Sequence, residues 1–106
     1  KGMTIQELAQ KLSELGYPLA YSHFKPKNAP KPPFICYLVI DSDNFMADNK
    51  VYREILNVDI ELYSNKDFAA ENKIKEMLNE NELPYSYDEI YVNGEEVFKS
   101  TFSIQI

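Results

Sequence analysis

The run Phe34-Ile35-Cys36-Tyr37-Leu38-Val39-Ile40 constrains this chain more than any other stretch. It is too short to span a bilayer, and the polar sequence Asp41-Ser42-Asp43-Asn44 follows at once. Read as a strand, it is apolar on both faces. A chain of 106 residues suits one domain, residues 1–106. A domain of that size with a single helix layer covers only one sheet face with its own helices. The second apolar face therefore points to burial against a partner.

The stretch after this strand reads as a long polar loop, Asp41–Lys50, interrupted by Phe45-Met46-Ala47. A second strand, Val51–Tyr63, ends in Val58-Asp59-Ile60-Glu61-Leu62-Tyr63, a two-residue alternation. Tyr52, Leu56, Val58, Ile60 and Leu62 form its inward set, and Arg53, Asn57, Asp59 and Glu61 its outward set. Glu54 and Ile55 break the two sets, which predicts a bulge or bend nearby.

The remaining elements follow from end signals. Thr4 and Glu7 form a capping box, and Ile5, Leu8, Leu12 and Leu15 recur at helical spacing up to Gly16. A helix is predicted over Thr4–Leu15. Leu19–Phe24 reads as a short strand, and Lys25–Pro33, with Pro26, Pro30, Pro32 and Pro33, as an irregular connector. Ser64 and Asp67 suggest a second capping box. The helix behind them carries Ala70, Ile74, Met77 and Leu78 on one face and runs to about Asn79, before Pro84. Asn93-Gly94 is a type I′ hairpin signal. It joins Tyr85–Val92 to a strand on which Phe98, Ser100, Phe102, Ile104 and Ile106 alternate with polar residues. The order α-β-β-β-α-β-β predicts an α+β fold: one mixed, mostly antiparallel sheet with two helices packed on one face.

Composition narrows the function classes. The net charge of −6, with Lys25, Lys27 and Lys31 as the one basic stretch, argues against sequence-specific nucleic-acid binding. That stretch is threaded with prolines and reads as a stiff, solvated connector. Lys1-Gly2 ahead of Met3 reads as an addition, which makes Met3 the expected native start. No charged n-region with an apolar h-region precedes the first helix, so neither a signal peptide nor a membrane anchor is expected. The single cysteine excludes an internal disulfide and fits a reducing compartment.

Candidate chemistry is sparse. An EF-hand loop opening at Asp41 wants an Asp or Asn, a Gly and a Glu where the chain has Phe45, Met46 and Tyr52. Looser divalent binding by Asp41, Asp43, Asn44 and Asp48 is the alternative to a solvated loop. Cys36 and His23 are the only nucleophile–base pair, and Cys36 sits within an apolar strand rather than at a helix start. The carboxylates Asp88, Glu89, Glu95 and Glu96 flank a turn and read as solvated. Gly2, Gly16 and Gly94 form no phosphate-cradling loop. No catalytic residue, cofactor or metal is expected. Tyr85, Tyr87 and Tyr91 share one side of a strand, as a half-buried sheet face or a partner contact.

Four segments taken together carry a family resemblance: Leu15-Gly16-Tyr17-Pro18-Leu19-Ala20-Tyr21-Ser22-His23-Phe24, Pro33-Phe34-Ile35-Cys36-Tyr37, Asn44-Phe45-Met46-Ala47-Asp48-Asn49-Lys50-Val51-Tyr52 and Val58-Asp59-Ile60-Glu61-Leu62-Tyr63. The chain resembles small tail proteins of prophages of Gram-positive bacteria, of the tail-terminator or tail-to-head joining class of long-tailed phages. The resemblance spans the chain from the first helix to the final hairpin. It implies a mixed sheet with two helices and a ring, typically of six copies, at the head-proximal end of the tail tube. The implied partners are other copies of the chain, the tail tube protein and the head connector. Assembly would take place in the host cytoplasm, with the product at the head–tail junction of the virion. The genome would pass through the lumen, where an acidic lining that repels phosphate would not hold it. On this reading Phe45, Met46 and Tyr52 are the expected interface residues, an apolar anchor with a polar rim. Two other classes stay open: a module that binds a peptide by strand addition, and a small enzyme built on Cys36 and His23 or on a metal.

Overall fold

A computed structural model of the chain describes residues 3–47 and 50–106, with the side chains of 44–53 outside the description. It shows α1 (Ile5–Ser13), β1 (Leu19–Tyr21), a 3-10 turn (Pro26–Asn28), β2 (Phe34–Ala47), β3 (Lys50–Ser64), α2 (Phe68–Glu80), β4 (Ser86–Val92) and β5 (Val97–Gln105). The molecule is α+β. Its five strands form one sheet in the order β1-β2-β3-β5-β4, with β1 parallel to β2 and every other pair antiparallel.

Register decides which residues share a face. Tyr37 pairs with Ile60, Ile60 with Phe102, and Phe102 with Tyr87. Ile35, Val58, Leu62, Phe102 and Ile104 thus lie on one face with Ile60. They pack with Leu8 and Leu12 of α1 and with Ala70, Ile74, Met77 and Leu78 of α2 in a single core. Both helices cover that face. The alternations in β3 and β5 point inward as their sequence predicts: Val58, Ile60, Leu62, Ser100, Phe102 and Ile104 are all buried.

The first helix starts at its capping box. Thr4 Oγ1 accepts from Glu7 N at 3.0 Å, and Glu7 Oε1 accepts from Thr4 N at 2.8 Å. Gly16, at φ +93°, occupies the left-handed region just past the helix end. The second helix starts differently from its expected capping box. Asp67 is the N-cap, with its side chain accepting from Ala70 N, while Ser64 Oγ accepts from Lys66 N and Asp67 N one turn earlier. Ser64 is fully buried at the end of β3, so its hydroxyl serves the chain reversal and cannot reach the helix.

Three further expectations need correction. The polar stretch expected as the loop Asp41–Lys50 is strand through its described residues, Asp41 to Ala47 and Lys50. β2 continues to Ala47 and β3 begins at Lys50, because antiparallel pairing satisfies the backbone whatever the side chains are. The irregularity predicted near Glu54–Ile55 is present, with register shifts between Val39 and Asp41 and between Phe45 and Met46, the second where Arg53 gives way to Val51. The Asn93-Gly94 turn is not a two-residue type I′ turn. Val92 pairs with Val97, leaving four connecting residues, with Gly94 at φ +91° and Glu96 at φ +55°. Burial of Val97 sets this register ahead of local turn preference. β1 is also shorter than expected, ending at Tyr21.

Candidate functional site

The β2–β3 hairpin outgrows the sheet that carries it. β5 pairs with β3 only as far as Asn57, with one further reciprocal backbone bond pair between Leu56 and Ile106. β1 reaches only Ile35–Tyr37 of β2. Beyond these points the pairing from Asp43–Ile55 to Ala47–Lys50 is a two-stranded ribbon. At the usual rise per residue it extends roughly 15–20 Å past the sheet, and the molecule is 50 Å in its longest dimension. An isolated two-stranded ribbon is marginal in water. The interface residues expected from the sequence, Phe45, Met46 and Tyr52, all fall on it, and their side chains lie outside the described residues.

The sheet face turned away from the helices is covered at one end by the chain itself. The segment after β1 folds over it, so that Phe24 meets Phe34 edge-on at 5.3 Å and Phe34 stacks on Tyr63 at 4.9 Å. A cavity of about 520 Å³ sits here, lined by His23, Phe24, Phe34, Cys36, Tyr63 and Ile90. The second cover expected for Phe34 and Cys36 is therefore partly intramolecular. Further along β2, Leu38 is half-buried and Ile40 is 52% exposed at the first register shift.

This cavity brings Cys36 and His23 together, but not as a reactive pair. Burial, reinforced by the nearby Glu61 carboxylate, pushes the Cys36 thiol up to about 11. His23 is exposed, with Nδ1 3.1 Å from Ser22 Oγ. A thiol so raised is protonated at neutral pH and is a poor nucleophile. Reaction of Cys36 with a maleimide or disulfide reagent at pH 8 is expected to run on the order of 100-fold slower in the folded protein than in urea. Comparable rates in the two states would restore the cysteine-enzyme reading.

Toward the ribbon, the outward face carries a polar ladder. Asn57 Nδ2 donates to Asp41 Oδ1 at 2.6 Å and to Asp43 Oδ2 at 3.0 Å, while Asn57 Oδ1 accepts from Gln105 Nε2 at 2.9 Å. Ser103 Oγ donates to Asp59 Oδ1 at 2.7 Å. Asp41 and Asp43, weighed as cation ligands, are strand residues that hold an amide. Among the described residues no cluster of His, Cys, Asp and Glu has metal-binding geometry. Asp48 lies outside the described residues, as does the side chain of Asn44.

On the helix side of β4 lies a charged network that sequence reading overlooked. Glu71 is 3% exposed and Ser100 fully buried. Glu71 Oε2 accepts from Lys66 Nζ at 2.6 Å, Ser100 Oγ at 2.8 Å and Tyr87 OH at 3.0 Å. Lys66 Nζ also pairs with Glu89, and Tyr87 OH, with one proton to share between the two carboxylates, lies 2.9 Å from Glu89 Oε1. Burial by itself would raise Glu71. The hydrogen bonds from Lys66, Ser100 and Tyr87 outweigh it and hold the carboxyl below its usual range. The available signal was Glu71 itself, three residues before Ile74 on the buried face of α2. Its saturated bonding marks it as a tie between α2 and the β4–β5 hairpin. Glu89, read from sequence as a solvated turn residue, belongs to it.

Neither a protein-family model nor a curated protein sequence matches this chain. Among the described residues no helix is long and apolar enough to cross a membrane.

Proposed function

We propose that this chain is a virion assembly protein of a long-tailed phage or prophage, a tail terminator or head–tail joining component that works as an oligomeric ring. The observation that carries the reading is the β2–β3 ribbon, which leaves the sheet without a neighbouring strand on either side. A ribbon of this kind gains most of its stability from what it contacts. A contact between the ribbon of one copy and a different surface of the next is heterologous and can close into a ring. The sequence resemblance set out above supplies the phage context and the other partners, the tail tube protein and the head connector. The protonated thiol of Cys36 and the buried structural bonds of Glu71 favour contact over turnover as the role of the chain.

Phe45 and Met46 are the anchors of that contact. Phe45→Asp is expected to leave the circular dichroism spectrum and the melting transition in place and to abolish ring formation in electron micrographs. Unchanged assembly by a folded Phe45→Asp protein would remove the ribbon from the interface.

A further inference from the structure

The two edges of the sheet are treated differently. The β1 edge is blunted. β1 spans only Leu19–Tyr21, Pro18 precedes it, and past its end Tyr21 OH accepts from Val39 N at 3.0 Å, closing the next donor of β2. The β4 edge has none of these devices. Ser86–Val92 contains no proline, no lysine or arginine and no register shift.

The direction of its free backbone groups follows from the far side of the sheet. Leu56 and Ile106 exchange both backbone hydrogen bonds, Leu56 N to Ile106 O at 2.8 Å and Ile106 N to Leu56 O at 2.9 Å. Bonded pairs alternate along an antiparallel ladder. Ile104, Phe102, Ser100 and Phe98 therefore turn their backbone groups toward β3, and Ser103, Thr101, Lys99 and Val97 turn theirs toward β4. On β4 the groups of Ser86, Asp88, Ile90 and Val92 are consumed by β5. The N–H and C=O of Tyr87, Glu89 and Tyr91 point out of the sheet, and among the described residues they take no backbone partner.

We propose that a second copy of this chain occupies this edge, β4 pairing antiparallel with β4 about a two-fold axis at Ile90. Outward groups must meet outward groups, which allows three registers that pair five or more residues. One sets Glu89 opposite Glu89 and another sets Asp88 opposite Asp88, like charges in direct opposition. The third sets Ile90 opposite Ile90, Glu89 opposite Tyr91 and Asp88 opposite Val92. No like charges face one another in it, and Ile90 and Tyr91, 46% and 47% exposed in the single chain, gain cover. Glu89 is already bonded to Lys66 and Tyr87 on the helix side, and in this register it faces Tyr91 rather than a second carboxylate. The contact is isologous and joins two five-stranded sheets into one. It uses a surface remote from the ribbon and stands independently of the ring.

Sedimentation velocity on the full chain tests it. The expected result is a mass that doubles with concentration and returns to the monomer in Ile90→Asp, which places two carboxylates on the axis. Tyr91→Pro removes an outward N–H without touching the β4–β5 bonds and is expected to do the same. Ile90→Cys is expected to form an intermolecular disulfide on oxidation, because the axial residues form a non-hydrogen-bonded pair with Cα atoms about 4.5 Å apart. A wild-type monomer up to about 1 mM, the limit of weak association, overturns the proposal. So does an oligomer indifferent to a folded Ile90→Asp, or a chain that gains mass only with a different protein. Loss of the ring in Phe45→Asp with the dimer retained separates the two contacts.

Discussion

Phe102→Ala is expected to destabilise the fold by about 4 kcal/mol, the usual loss for a buried phenylalanine. Phe102 is the largest fully buried side chain. It pairs with Ile60 on one side and Tyr87 on the other, at the middle of β5. The rings of Tyr85 and Tyr87 meet it edge-on at 5.6 Å and 5.2 Å. Truncation would leave a cavity ringed by elements that cannot all collapse toward it, since β3 and β4 are held by their own ladders. A domain of this kind has only about 5–15 kcal/mol to lose, so the variant is expected to unfold partly near body temperature. Urea titration followed by far-ultraviolet circular dichroism measures the change. Phe98→Ala is the control. Phe98 is half-buried and touches Tyr91, and its loss is expected to be well under half as large. Equal losses at the two positions would place the core elsewhere.

Lys66→Met is expected to cost about 3 kcal/mol at neutral pH, because it strands the buried Glu71 carboxylate without its cation. The pH dependence carries the sign. In the wild type Glu71 is held below its usual range. Its contribution is therefore present above the unfolded value of about 4.3 and is lost as pH falls through the lower folded value. In Lys66→Met the bond and charge of Lys66 no longer offset the burial of Glu71, so its carboxyl rises from its wild-type value and its buried charge destabilises the protein at neutral pH. Acidification relieves that penalty while it removes the wild-type gain. The stability gap between the two proteins is expected to narrow steadily below about pH 5. A gap constant from pH 7 to pH 3 would show that Lys66 acts through packing alone. At the alkaline end Lys66 is raised: desolvation pulls the other way, and the bonds to Glu71, Glu89 and Tyr87 exceed it. Its contribution is present below the unfolded value of about 10.4 and fades as pH rises through the higher folded one.

The core of this fold is legible in the sequence because its period is regular. Val58-Asp59-Ile60-Glu61-Leu62 and Phe98 to Ile106 alternate without a break, and one register buries every inward residue but the half-buried Phe98. The first helix is legible because Thr4 and Glu7 satisfy each other's backbone donors locally. The ribbon is not legible. Asp41 to Asn44 are poor strand formers, and composition alone reads them as loop. Pairing across the hairpin overrides that preference, and Asn57 gives two of the aspartates a partner that only the register brings near. The Asn93-Gly94 turn misleads for the same reason, since burial of Val97 outweighs the local turn preference. Cys36 and His23 do line one cavity, yet burial there raises the thiol. The Lys66–Glu71–Glu89 network joins residues up to 23 positions apart, and no local motif announces it.

The central claim is that the chain caps a growing assembly. Its most direct measurement is the length of tail tubes polymerised from the tail tube protein proposed as its partner, with and without this protein, in negative-stain micrographs. The expected result is short tubes of uniform length, each carrying one ring at an end, with the effect lost in Phe45→Asp. Tubes that grow to the same lengths in the presence of the folded protein, with bare ends, would contradict it.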